Sequence, residues 1–298
     1  MIQVLSPKEL ARAIGVSESS LKRWADDGLI KTSRTAGGHR RIALTDALRF
    51  IRESRSLLVN PDVLGLTDVR AVRSDDTLDQ SDSDRLFAYL RDGRAAEARG
   101  LLLSRYLDGE SLAAMFDGFL REAMEQLGRL WQHSETGIIL EHRATDICVQ
   151  AVQQLRSMLP PQHGGPVAVG GAPSGDPYLL PSLLVATALM SESYDAMNLG
   201  PETPCASLLR AADEFDAKLV WLSISVAQRP DEMRQDVIKL ACELGTRGTR
   251  LIVGGQKCGV LDLPTEDNML VGQSVAELVA FGRGLLAGSS GEAATTAH

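Results

Sequence analysis

The 298-residue sequence contains no run of about eighteen apolar residues, the length a membrane-spanning helix requires. Its first residues, MIQVLSPKEL, lack a basic stretch followed by an apolar one, so secretion is not signalled. Both absences predict a cytoplasmic protein with no membrane partner. Cysteine is scarce. Cys148, Cys205, Cys242 and Cys258 show no CxxC or other metal-ligand spacing and are expected to be reduced thiols. There is no Ser-His-Asp set and no glycine-rich phosphate loop followed by Lys. The chain is therefore not expected to be an enzyme.

What is present is enough for two or three domains with cores of their own. Hydrophobic residues at 44% and charged residues at 23% are ordinary for a globular protein. The net charge of −8 is unevenly spread: residues 1–56 hold 11 Lys and Arg against 6 Asp and Glu, so a +5 module precedes a remainder of −13. Such a module points to nucleic acid, bound by the N-terminus only.

Ser6-Pro7 reads as an N-cap and first-turn proline opening a short helix to Ile14, which Gly15 breaks. Ser17 caps a second helix, SESSLKRWADDG, with Leu21 and Trp24 on one face and Lys22 and Arg23 turned elsewhere. This is a helix-turn-helix pattern with its second helix suited to the major groove. The stretch LIKTSRTAGGHRRI follows, a basic hairpin around Gly37-Gly38 that can grip phosphates or enter a minor groove. Lys22, Arg23, Arg34, His39, Arg40 and Arg41 are the candidate DNA contacts. The run SPKELARAIGVSESSLKRWADDGLIKTSRTAGGHRRI resembles the winged helix-turn-helix of MerR-family regulators, GGHRR being its specific part. That resemblance implies an N-terminal DNA-binding domain over residues 1–57, with double-stranded operator DNA as partner.

Residues 58–84, rich late in Asp and Ser, read as a solvated linker. From 85 to 160 apolar residues recur at three- and four-residue intervals in four segments, as in an up-and-down four-helix bundle. Beyond Pro160-Pro161 short apolar strands alternate with helices over 166–288, which predicts a parallel, doubly wound, Rossmann-like (flavodoxin-like) sheet. Ligands in such sheets sit beyond the carboxyl ends of the strands. Those ends carry Gly170 to Tyr178, Gly200, Ser223 and Gly254-Gly255. The tail 289–298 is small, polar and expected to be disordered.

Between these halves lies LWQHSETGIILEH, Leu130 to His142, which places nine residues between Trp131 and the pair Glu141-His142. An aromatic wall and two polar groups at that spacing suit a pocket over a large flat ligand. A helical bundle followed by a Rossmann-like domain resembles the cobalamin-binding modules of corrinoid proteins. Behind a MerR-type reader it resembles the CarH/LitR group of cobalamin-dependent, light-responsive repressors. In that group Trp-x9-Glu-His covers the cofactor's upper axial group, which implies this role for Trp131, Glu141 and His142. A Ser after the third strand and a Gly-Gly after the fourth line the cavity of the displaced nucleotide base. The resemblance maps these onto Ser223, Gly254 and Gly255.

The group's Asp-x-His-x-x-Gly loop, whose imidazole ligates cobalt from below, reads DPYLLP here. Asp176 is kept, Tyr178 stands in place of His, and Pro181 stands in place of Gly. Imidazole is a good cobalt ligand, whereas a phenol is a poor one at neutral pH. Beside Trp131 the relatives commonly place a His; here Gln132 takes that position and His133, a candidate cobalt ligand, comes one residue later, turned by about 100° on a helix. The expected cofactor is therefore cobalamin, as adenosylcobalamin, without the usual lower His ligand. Another tetrapyrrole is the alternative. The expected protein is a repressor that changes its homo-oligomeric state, dimer or tetramer, with ligand or light. Two further readings stay open: a MerR-type regulator that senses another ligand or only oligomerises, and a corrinoid-carrying methyltransferase subunit.

Overall fold

A computed structural model describes residues 4–73, 80–131, 137–160 and 164–295. They fall into two compact units, one within Met1–Ser111 and Gly118–Pro160, the other within Leu112–Asp117 and Pro161–His298.

The first unit opens on local signals. Helix α1 (Pro7–Ile14) begins at a reciprocal cap: Ser6 Oγ accepts from Glu9 N–H at 3.2 Å, and the Glu9 carboxylate accepts from Ser6 N–H at 2.7 Å. Gly15, in the left-handed region at φ 71°, ends it, and Ser17 caps α2 (Glu18–Asp26). Strands β1 (Val4–Leu5), β2 (Ser33–Arg34) and β3 (Arg40–Ala43) form a small antiparallel sheet with β3 in the middle. Helix α3 (Leu44–Ser54) follows, and Trp24 of α2 meets Phe50 of α3 with ring centroids 5.6 Å apart.

The stretch read as the start of a solvated linker is folded where the structure describes it. Val59 and Asn60 donate their N–H groups to Ala13 O at 2.8 and 2.9 Å, a 3-10 turn spans Pro61–Leu64, and α4 spans Thr67–Arg73. Leu58, Leu64, Leu66 and Val69 are buried. Their spacing is too short for an obvious helical stripe, and what buries them is contributed from far along the chain. Helices α5 (Asp82–Asp92) and α6 (Ala95–Leu107) come next, with α4 lying against α6. The approach is close at Gly100, where a Cβ would stand 2.0 Å from Asp68 O, and Arg99 donates to the Asp68 carboxylate at 2.8 Å. Between α6 and α8 lies α7 (Leu112–Met115), a short helix that belongs to the second unit. Helices α8 (Arg121–Trp131) and α9 (Gly137–Met158) complete the helical region, packing on each other and on α5, while α9 also meets α6. The third of the four expected helical segments is thus broken around Phe116–Leu120, with non-helical backbone at Gly118.

The second unit holds five parallel strands in the order β5-β4-β6-β7-β8, namely β4 (Val167–Gly171), β5 (Asp195–Asn198), β6 (Leu219–Ser223), β7 (Arg250–Gly254) and β8 (Met269–Val271). Helices α10 (Leu179–Ser191), α11 (Cys205–Glu214), α12 (Pro230–Gly245) and α13 (Val275–Thr295) connect and follow them. The strands β4 and β6 are buried almost throughout and read as continuous apolar runs, as parallel strands covered on both faces do. Chain order reverses between β4 and β6, which makes their carboxyl ends a switch point for ligand binding. Asp117, just past α7, accepts from Val275 and Ala276 N–H at 2.9 and 2.8 Å and so caps α13. Helix α13 extends to Thr295, into the stretch expected to be a disordered tail.

Candidate functional site

Three regions collect the residues singled out in the sequence. The first is the face formed by α2 and the β2–β3 hairpin. The hairpin closes on itself: Thr35 N–H donates to His39 O at 2.9 Å, and His39 N–H donates to Thr35 Oγ1 at 3.2 Å. Arg23, Arg34 and His39 are exposed, and Arg41 is half-buried. A cleft of about 430 Å³ runs between helix and hairpin, lined by Lys22, Asp26, Arg34, His39, Arg40 and Arg41 among others.

Two of these cations are engaged within the protein. Lys22 pairs with Glu18 one turn earlier at 2.8 Å, and the ammonium holds that carboxyl below the usual range. Arg40 forms an ion pair with Asp26 and donates to Lys22 O at 3.1 Å, so it ties the hairpin to α2. The same guanidinium lowers the Asp26 pKa. Sequence reasoning passed over Asp26 because an acid on a basic helix reads as solvated; its partner sits across the hairpin.

The second region is at the carboxyl ends of the central strands. Asp176, in the loop after β4, is fully buried. One carboxylate oxygen accepts from Tyr178 N–H at 3.1 Å, and the other accepts from Ser225 and Val226 N–H at 2.5 and 3.1 Å. A lone buried carboxylate is costly, and here its acceptor sites are filled by backbone donors of two loops. Asp176 therefore locks the loop after β4 to the loop after β6. Tyr178 takes the N-cap position of α10 with its side chain 39% exposed.

Ser223 is buried at the end of β6, in register with Gly254 at the end of β7. Gly255 has φ 107°, and a Cβ there would stand 2.4 Å from Ile224 O. This glycine is required by the approach of the protein's own backbone. Between the sheet and α10 sits Trp221, fully buried, whose ring leaves Gly170 no room for a Cβ (2.1 Å). Sequence reasoning missed Trp221, which reads as one more apolar residue in a buried strand.

On the helical region, Trp131 is the last residue of α8, and Glu141 and His142 lie in the first turns of α9. Glu141 accepts from Thr145 Oγ1 at 3.1 Å and stands 3.5 Å from His142 Nε2, whose side chain is 76% exposed. Nearby in sequence, Leu130, Ile138 and Ile139 are exposed apolar residues. His133 lies outside the described residues. Among the described residues there is no group of three or more His, Cys, Asp or Glu able to hold a metal ion, and no helix long and apolar enough to cross a membrane.

The chain thus combines a helix-turn-helix and its basic hairpin with a helical region and a parallel α/β unit that has a switch point. Residues 6–42 match the MerR family regulatory protein domain, and residues 83–156 match the B12 binding domain. The chain joins a MerR-type DNA-binding domain to a B12 binding domain, the make-up of a DNA-binding regulator that senses cobalamin. It is similar to the HTH-type transcriptional repressor CarA of Myxococcus xanthus, 24% identical over 230 residues that cover 76% of this chain and 78% of that protein. It is also similar to dimethylamine corrinoid protein 3 of Methanosarcina acetivorans, 27% identical over 139 residues covering 46% of this chain and 65% of that one. Among solved structures, the Methanosarcina barkeri monomethylamine corrinoid protein aligns with a TM-score of 0.49 at 15% identity, over 66% of this chain and 94% of that one.

The residues of the α/β unit fit a cobalamin in part. The strand ends of the α/β unit offer a ligand face of the right kind, while the loop after β4 carries the phenol of Tyr178 and no imidazole, and commits the Asp176 carboxylate to backbone.

Proposed function

We propose that this regulator is a repressor acting in the cytoplasm, whose grip on operator DNA is set by adenosylcobalamin, with light changing its oligomeric state. The observation that carries the reading is the pairing of an exposed cationic α2–hairpin face with an α/β unit whose strand-end loops are locked together by Asp176. Residues 1–57 act as a winged helix-turn-helix. Arg23, Arg34, His39 and Arg41 contact phosphate, joined by Lys22 when it exchanges Glu18 for DNA. Arg40 acts by holding the wing. Residues 85–160 act as a four-helix cap, in which Trp131, Glu141 and His142 are assigned to the cofactor's upper axial group, with His133 as a candidate cobalt ligand. Residues 166–288 act as the cofactor module, with Asp176, Tyr178, Ser223, Gly254 and Gly255 on its lower side. One small reader binds weakly, and several on one homo-oligomer, dimer or tetramer, multiply avidity through effective concentration.

The test is gel filtration of apoprotein mixed in the dark with adenosylcobalamin, with spectra across the protein peak before and after illumination. Co-eluting corrinoid with an assembly that changes under light is the expected result. No co-eluting corrinoid overturns the cofactor assignment. It would favour a second reading, which Tyr178 supports: a MerR-type regulator whose module takes another tetrapyrrole or only oligomerises.

A further inference from the structure

We infer that this chain holds cobalamin with the cofactor's own benzimidazole still on cobalt, because Trp221 fills the space into which a released base would have to go. The inference rests on the reading that the α/β unit takes cobalamin. A corrin lying over the strand ends that releases its base from cobalt needs a slot for the long nucleotide arm, and a replacement donor below the ring favours that release.

The loop after β4 offers no imidazole, and its buried carboxylate accepts from Tyr178, Ser225 and Val226 N–H. Two places beside the strand ends where such an arm could enter are filled. Between the sheet and α10, the Trp221 indole lies against Gly170 and is fully buried. Its N–H donates to Ser182 Oγ at 3.1 Å, Ser182 donates to Asn198 Oδ1 at 2.7 Å, and Asn198 Oδ1 also accepts from Gly200 N–H at 3.1 Å. This chain pins the indole from α10 and from the end of β5, so the ring cannot swing aside without breaking buried hydrogen bonds. Indole and benzimidazole are both fused six- and five-membered rings, so the protein has put a ring of the base's own size there. Between β6 and β7, the room left by Gly255 is taken by the Ile224 backbone. Ile224 N–H is itself bound to Gly254 O at 2.7 Å. With donor and slot both missing, the base stays where its cobalt bond is intramolecular.

The experiment is electron paramagnetic resonance of cob(II)alamin bound anaerobically to uniformly 15N-labelled full-length protein. A triplet splitting from the cofactor's natural-abundance 14N base is expected. A doublet from a labelled protein nitrogen, or no axial nitrogen splitting, overturns the inference. A filtered sample that retains no cob(II)alamin instead removes the cobalamin reading on which it rests. Tyr178→His supplies the missing donor and should still give the triplet, since the slot remains filled; conversion to a doublet overturns the role given to Trp221. Adding Trp221→Ala to Tyr178→His should produce the doublet, and a folded double variant that keeps the triplet also overturns that role. Should the double variant not fold, judged by circular dichroism, the wild-type and Tyr178→His spectra still decide.

Discussion

The guanidinium of Arg52, on the last turn of α3, lies over the ring of Tyr106 at 4.3 Å and donates to the carbonyls of Tyr106 and Glu110, the latter at 2.8 Å. The helix that closes the DNA reader is thereby fastened to the end of α6. The reader and the helical region share a folded surface, reinforced by Val59 and Asn60 on Ala13 and by α4 on α6.

Arg52→Ala should therefore destabilise the first unit by about 2 kcal/mol, the range for hydrogen bonds from a charged donor plus a cation–π contact. Equilibrium urea unfolding measures it. Arg52→Lys should recover little, because an ammonium lacks the flat fork that stacks and donates together. Tyr106→Phe should be close to neutral, since ring and carbonyl remain. A wild-type midpoint for Arg52→Ala would show that the contact contributes nothing.

At the DNA face, exposure and pairing separate the cations. Arg23→Ala and Arg34→Ala should each reduce the slope of log affinity against log salt by about 1, as loss of one phosphate contact does. Arg40→Ala should weaken binding to a similar extent as Asp26→Ala, because both release the hairpin from α2. Binding titrations at four or more salt concentrations distinguish the two classes. An Asp26→Ala variant that binds more tightly, as simple removal of a negative charge would cause, counts against the hairpin role.

Asp176→Ala should destabilise the α/β unit by about 2–5 kcal/mol, because Ser225, Val226 and Tyr178 N–H groups lose their acceptor. Asp176→Asn should be only a partial rescue, since its amide nitrogen must face a backbone donor. Thermal unfolding monitored at the buried Trp221 reads both variants. Equal stability of Asp176→Ala and wild type would mean that water replaces the carboxylate at no cost.

Burial decides thiol chemistry. It pushes the Cys148 thiol up to about 12 and, together with the Asp236 charge, Cys205 up to about 11, while Cys258 is also raised by burial. Raised values leave little thiolate near neutral pH, so these three should react slowly with a disulfide reagent at pH 8. Exposed Cys242 should react first, and Cys242→Ser should abolish the fast phase. Rapid labelling of Cys148 in the native protein would contradict the packing between α8 and α9.

Much of the architecture was legible in the sequence because its causes are local. Ser6 with Glu9, Gly15 and Ser17 mark helix ends within three or four residues, and the switch from helical to strand spacing after Pro160-Pro161 marks the parallel sheet. The cationic residues of α2 and the hairpin were legible for the same reason. What they bind within the chain was not: Arg40 reaches Asp26 only because β3 folds back beside α2.

The sequence by itself determined the reader, the helical stretch, the parallel α/β unit and the phenol of Tyr178 in the loop after its first strand. Only the tertiary structure decided that residues 58–73 are folded, that Arg52 grips α6, that Asp176 serves a loop 49 residues away, and that Trp221 fills the space under Gly170. The physical reason is the same in each case. Caps, turns and periodicity are set by neighbours in the chain, whereas the filling of a space and the partner of a buried polar group depend on segments that meet only on folding.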